Sequence, residues 1–448
     1  ESSEVQLPYD QGVPKDERRA EALYRISADK GNSQAQVNLG KMYYDGTGGL
    51  TQSFEEAFKR FKLAAAQGHV QAQFNLGVMY LNGQGVETDE AKAAKIFESL
   101  AHAGHREAQF NLGLMHDNGR GVEKDTHKAM HWYRLAAEQG YADAQFNLGV
   151  MYEKGQCVVL DLQEAIRFYT LATDQGHPLA PNNLGMLYAS GQGVQKDEGK
   201  AAELYRISAD KGNSQAQVNL GKMYYDGTGG LPQSFEEAFK LFQSAAEQGH
   251  VQAQFNLGIM YLNGQGTIKN ESKAAAIFEK FANKGHKEAQ FHLGLMYDNG
   301  YGVEKDTHKA IHWYRLAAEQ GYADAQFNLG VMYQHGQGVE CNIQEAIRFY
   351  HLATDQGHPL APNNLGMLYA KGHGVPKDER RAEALYRISA DKGNAQAQVN
   401  LGKMYYDGTG GLPQNFCEAL RLFQCAAQQG HTQDRKSTRL NSSHGYRS

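Results

Sequence analysis

The stretch ADAQFNLGVMYEKGQCVVLDLQEAIRFYTLATDQG, residues 142–176, decides how the chain is read, because close copies of it recur along almost the whole sequence. The landmark is the tripeptide Asn-Leu-Gly. Its Gly, with one His-Leu-Gly variant, falls at Gly40, Gly77, Gly113, Gly149, Gly185, Gly221, Gly258, Gly294, Gly330, Gly366 and Gly402, in steps of 36 or 37 residues. A fixed period of this length is the mark of a solenoid.

Each unit divides into two helices. Ala144, Leu148, Met151 and Tyr152 stand at i, i+4, i+7 and i+8, one face of a helix that Gly155 ends. After a short loop, Ala165, Phe168, Tyr169 and Ala172 mark a second apolar stripe, closed by Gly176. No stretch alternates with period two, so no strands are expected. The Gly inside every first helix costs roughly 1 kcal/mol relative to Ala. Its recurrence implies that a neighbouring helix passes too close for a side chain.

The copy AQFNLGLMHDNGRGVEKDTHKAMHWYRLAAEQG, residues 108–140, resembles the Sel1-like repeat, a 36-residue relative of the tetratricopeptide repeat. The resemblance runs from residue 11 to about residue 433. The 34-residue tetratricopeptide repeat is the alternative, and the period and the GxGVxxD loop argue against it. The resemblance implies an all-α fold: a right-handed α-solenoid superhelix of about eleven helix-turn-helix units, acting as an adaptor that binds proteins. Some Cys-rich bacterial members of the family pair cysteines within each repeat and are linked with β-lactam binding, which makes a β-lactam-hydrolysing or other hydrolytic enzyme the rival reading. The cysteines here (Cys157, Cys341, Cys417, Cys425) recur at no equivalent repeat position, and no disulfide framework is expected. Cys417 and Cys425 lie about 12 Å apart along one helix, too far to pair.

The organisation follows from the repeats. Residues 1–10 do not fit them, residues 11–32 read as a lone second helix, residues 33–433 hold eleven repeats, and residues 434–448 read as a disordered or non-native tail. The chain starts at Glu1 without Met, as a fragment or a processed form would. LYRISADKGN begins at Leu23, Leu204 and Leu385, a longer period of 181 residues that points to duplication of a five-repeat block. Any binding feature of the first block is therefore expected again in the second.

The Gly-rich loops have neither the spacing nor the Gly-Lys-Ser/Thr ending of a phosphate cradle. They read as caps: Asp125 before one second helix, and capping boxes Ser53 with Glu56, Ser234 with Glu237 and Asn415 with Glu418. A net charge of −5 leaves no basic footprint for nucleic acid, and no apolar run is long enough to span a membrane. Few cysteines suit the cytosol, while Asn270-Glu271-Ser272 matches a glycosylation sequon, so the compartment stays open.

Two sets of histidines invite a metal. His127 with His131, and His308 with His312, are i, i+4 pairs, but neither has a third ligand or a Glu base in its motif, and they read as solvated surface. His69, His105, His177, His250, His286 and His358 recur once per unit, too far apart for one site, and read as helix-start residues. No cofactor or metal is expected.

What remains is a surface. At 100° per residue, the side of the first helix opposite the buried stripe holds Phe146, Asn147 and Val150. The same positions hold Phe74, Asn75 and Val78; Phe110, Asn111 and Leu114; Phe255, Asn256 and Ile259; Phe291 and Leu295; Phe327, Asn328 and Val331. In tetratricopeptide-like arrays this side lines a concave groove. An apolar ladder edged with amides would suit a protein or peptide partner, Phe giving anchors and Asn pairing with backbone. Alternatively each Phe packs against the adjacent first helix and each Asn bonds locally; both readings stand at this point. The expected molecule is a non-catalytic, monomeric scaffold.

Overall fold

The computed structural model describes residues 17–436. The expectations for residues 1–10 and for the end of the tail, residues 437–448, lie outside them. The described residues form twenty-three α-helices and no strand. A lone second helix, Glu17–Asp29, comes first. Eleven helical hairpins follow, from Ser33–Asp45 with Phe54–Ala66 to Ala395–Asp407 with Phe416–Lys436. That last helix runs three residues into the stretch read from the sequence as an unstructured tail.

Local signals explain why the hairpins form. In the repeat of residues 142–176, the first helix, Ala142–Lys154, stops at Gly155, whose left-handed φ of 64° lets its N–H reach the Met151 carbonyl. The second helix, Leu162–Asp174, starts where the Asp161 carboxylate accepts from the backbone N–H groups of Gln163 and Glu164, at 3.0 and 3.1 Å. The loop between them is tied down by Asp161 N–H donating to the Tyr152 carbonyl at 3.1 Å.

The capping boxes are half made. The Ser53 hydroxyl accepts from Glu56 N–H at 3.3 Å, but Ser53 N–H donates to the Tyr43 carbonyl, so the Glu56 side chain is not needed there and pairs with Lys59 at 2.6 Å. Ser234 with Glu237, and Asn415 with Glu418, repeat this arrangement, the glutamates pairing with Lys240 and Arg421. The loop closure, which the sequence motif does not encode, supplies the bond that the box would have made.

The helix Gly has the cause expected of it. A Cβ on Gly149 would stand 2.6 Å from the ring of Tyr169 on the hairpin's own second helix, and the other ten positions meet a Phe or Tyr ring at 2.6–3.0 Å. Removing the side chain lets this ring lie flat on the first helix, and Tyr169 is fully buried there. Burial of a side chain this large contributes about 2–3 kcal/mol.

The packing that builds the core lies between helices adjacent in chain order. One cluster joins Ala165, Tyr169 and Ala172 of one second helix to Ala180, Leu184 and Leu187 of the next first helix and to Leu204 beyond it. The chain divides into two compact units, one up to Ala216 and one from Gln217. The first holds the Phe positions from Phe74 to Phe146, the second those from Phe255 to Phe327.

Candidate functional site

The first-helix positions read as a ladder are more enclosed than a free ladder would be. Phe146 lies between the Tyr169 ring, 5.8 Å away between centroids, and the His177 ring of the next repeat, stacked at 4.4 Å. Phe110 sits likewise between Tyr133 and Tyr141, Phe74 between Phe97 and His105, Phe291 between Tyr314 and Tyr322, and Phe327 between Tyr350 and His358. These five are half-buried. Phe255 and Ile259 are only 5% and 4% exposed, so the surface position expected of them is corrected to core. The packing partner also differs from either expectation. Each Phe is held by a ring of its own second helix and by the residue that starts the next first helix.

The amides bond locally. Asn75 and Asn256 accept from Gln71 and Gln252, one turn back on the same helix, at 3.1 and 3.0 Å. Asn111 donates to the Glu107 carbonyl at 2.8 Å. In other copies the amide serves the buried phenol of the preceding repeat: Asn183 donates to the Tyr169 hydroxyl at 3.2 Å, which in turn donates to Glu153 at 2.5 Å. Asn147 and Asn328 stand beside the phenols of Tyr133 and Tyr314, whose ionisation burial pushes up strongly. Glu153 is therefore part of the packing, not a free surface residue. Val78, Leu114, Val150 and Val331 are half-buried against the core, and Leu295 is half-buried too.

Sequence reasoning missed two things. The first is a buried amide staple. Gln145 donates to the Ala137 carbonyl at the end of the preceding second helix at 3.2 Å and accepts from Gln175 at 2.7 Å. Gln36 with Gln67, Gln109 with Gln139, and Gln290 with Gln320 repeat it. The recurring Gln after Ala-x-Ala and the Gln before the inter-repeat Gly were the visible signals. The second is an apolar patch on one copy that lacks Phe. Met186, in register with Val150, is 45% exposed, and Leu179, at the start of the same helix, 43%.

The remaining candidates sit where their surroundings dictate. His105 and His250 cap first helices through Nδ1, accepting from Ala108 and Ala253 N–H at 3.3 and 3.4 Å. His177 accepts from Leu179 and Ala180 N–H while its Nε2 stands 3.3 Å from Asp143. Burial lowers its pKa, and the Asp143 charge opposes that shift. His127, His131, His308 and His312 are exposed. Among the described residues no three His, Cys, Asp or Glu side chains gather as a metal site would need, and the four cysteines are free thiols. No helix there is long and apolar enough to cross a membrane.

The Sel1 repeat family model matches residues 9–32, 33–69, 70–105, 106–141, 142–177, 178–213, 214–250, 251–286, 287–322, 323–358, 359–394 and 395–431. The chain belongs to the Sel1 repeat family. Among solved structures, this Sel1 repeat chain is similar to c5321, a protective antigen present in uropathogenic Escherichia coli strains displaying an SLR fold. Identity there is 35%, over 93% of this chain and 90% of that one, with a TM-score of 0.77. A Sel1 repeat protein from Oxalobacter formigenes is 31% identical over 55% of this chain and 99% of its own, with a TM-score of 0.51. Among the curated proteins none matches. The Sel1 repeats are thus an α-solenoid of the kind that mediates protein–protein interaction, and the glycines, rings and amides described above are what stack one repeat on the next.

Proposed function

We propose that this Sel1 repeat chain is a non-catalytic, monomeric scaffold that holds a protein or peptide partner against the first-helix face, the side turned away from the second helices. The observation that carries the reading is the apolar patch of Leu179 and Met186, exposed on that face in register with the half-buried rungs Val78, Leu114 and Val150. Apolar surface aligned over several elements is a usual feature of interaction sites. Phe74, Phe110 and Phe146 form the floor between rungs in the first unit, and Phe291 and Phe327 that of the second, each half-buried by its ring partners. The amides Asn75, Asn111, Asn147, Asn256 and Asn328 border it. Phe255 and Ile259 support it from within. The hydrolytic alternative gains nothing from the cysteines, which are free thiols and not the paired cysteines of the Cys-rich relatives.

The test uses the full chain. A partner captured from the source cells is crosslinked to it, and the crosslinked peptides are mapped by mass spectrometry. Crosslinks are expected on first helices. Phe110→Ala with Phe146→Ala should weaken binding tenfold or more, about 1.4 kcal/mol. Met186→Ser, at an exposed position that leaves the fold intact, should weaken it in the same direction. His127→Ala with His131→Ala should leave affinity unchanged. Crosslinks confined to second helices, with loss of binding in the His variant alone, would overturn the proposal.

A further inference from the structure

The residue after each recurring helix Gly carries an inference about the partner. In the first unit this position reads Lys41, Val78, Leu114, Val150 and Met186. In the second it reads Lys222, Ile259, Leu295, Val331 and Met367, and Lys403 opens the next block. Four apolar positions follow each Lys, with the 181-residue period of the duplicated block; all four are at least partly exposed in the first unit and three in the second, where Ile259 is buried. The rungs therefore come as two bounded sets, one inside each unit, and not as one open ladder.

The middle rungs are flanked by carboxylates along the helix axis. Glu107 and Asp143 lie seven residues before Leu114 and Val150, two turns away on the same side, and Asp117 lies three residues after Leu114. The second unit repeats this with Glu288, Asp324 and Asp298. Side chains of Asp143 and Asp324 remain half exposed, at 50% and 48%, although each also faces a capping histidine. Burial raises the pKa of Asp298. Positive charge near these rungs comes from Arg106, which pairs with Glu107, from Lys287 at the same place in the second unit, and from Lys154, which ends one helix where His335 ends its counterpart.

We propose that each unit binds one extended segment that presents apolar side chains to the rungs and Lys or Arg to the flanking carboxylates, so that one chain holds two such segments. This deepens the function proposed above and rests on it. Neighbouring first helices are spaced by about 10 Å, the usual helix packing distance. A segment in the polyproline II conformation covers about 9 Å in three residues and turns every third side chain to the same face. The segment should therefore carry an apolar residue at every third position, with basic residues between. The Lys at the block boundaries would repel a basic segment and limit it to the rungs of one block.

The probe is a synthetic peptide with Leu at every third position and Lys and Ser between. One control has Glu in place of each Lys, and another Ser in place of each Leu. Titration calorimetry on the full chain should show two sites for the Lys peptide and at least tenfold weaker binding of both controls. Raising salt from about 50 to about 500 mM should weaken the Lys peptide, because the carboxylates are partly exposed. Met186→Lys, which places the boundary residue on an exposed rung, should remove one site and leave the other. Asp143→Asn with Glu107→Gln should lower the preference for Lys over Glu at one site only. Equal binding of the Lys and Glu peptides, one site per chain, or no binding of any peptide would each overturn this inference. The crosslink map of the natural partner judges the first-helix face separately, so a face that binds a different kind of segment would leave that reading standing.

Discussion

The most direct test of how the repeats stack is to give Gly149 a methyl group with and without the ring that faces it. The Cβ of Gly149→Ala would lie 2.6 Å from two carbons of the Tyr169 ring. Ordinary carbon contacts need about 3.5–4.0 Å. The ring cannot swing away, because it is fully buried and its hydroxyl bonds to Glu153 and Asn183. Overpacking of this kind costs about 1–3 kcal/mol, against a helix-propensity gain of about 1 kcal/mol from Gly to Ala. The net expectation is a loss of up to about 2 kcal/mol. Tyr169→Ala alone should cost about 3–5 kcal/mol, by analogy with other large aromatic deletions. On that background the methyl meets no ring, so Gly149→Ala should stabilise by about 1 kcal/mol. The sign of one substitution thus reverses with its neighbour, a coupling of about 1–3 kcal/mol. Repeat arrays need not melt in one step, so the readout should be hydrogen exchange of amides within residues 142–176 in the four proteins. Lys154→Ala, at an exposed helix-end position, is the control. If Gly149→Ala stabilises the wild type as much as it stabilises the Tyr169→Ala variant, the close-approach account is wrong.

Two further outcomes are expected. Cys157 is the one non-glycine among the described residues with a left-handed φ, at 53°, in a loop position that is Gly338 in the second block. Cys157→Gly should stabilise by about 1 kcal/mol in the same exchange assay, the relief of a strained residue exceeding the lost Sγ contact with Met130; destabilisation would show that the thiol packing dominates. His292, which stands where the other repeats have Asn, stacks on Phe278 and is held by burial to a pKa of about 4, with Asp324 opposing. Its folded pKa lies below the unfolded value of about 6.5, so it is neutral when folded at pH 7, and stability is lost as pH falls from about 6.5 towards 4. At pH 5 the loss should be about 1–2 kcal/mol, and His292→Asn should remove it without changing stability at pH 7, as urea melts at both pH values would reveal; an unchanged pH dependence would refute the assignment.

The repeat architecture was legible because its signals are local and periodic. The spacing of apolar residues defines each helix, the Gly that follows supplies the left-handed turn, and Asp161 and its equivalents start the second helix within a few residues of where they lie in sequence. Even the close approach at Gly149 could be inferred, since a costly residue recurring at one register needs a steric reason. Which ring makes that approach was not legible, because Phe168 and Tyr169 stand side by side on the apolar stripe of the second helix. The same limit explains the ladder. A wheel places Phe146 opposite the buried stripe, yet its exposure is set by His177, thirty-one residues later, which starts the next repeat and covers it.

By itself, then, the sequence determined the helices, their pairing, the repeat register and the block duplication, all of which follow from backbone geometry and short-range periodicity. The tertiary structure alone decided which side chains face solvent. Exposure depends on what a neighbouring repeat lays over a residue: it buries Phe255 under Phe278 and His286 and leaves Met186, at the Val150 register of a repeat without Phe, open on the first-helix face.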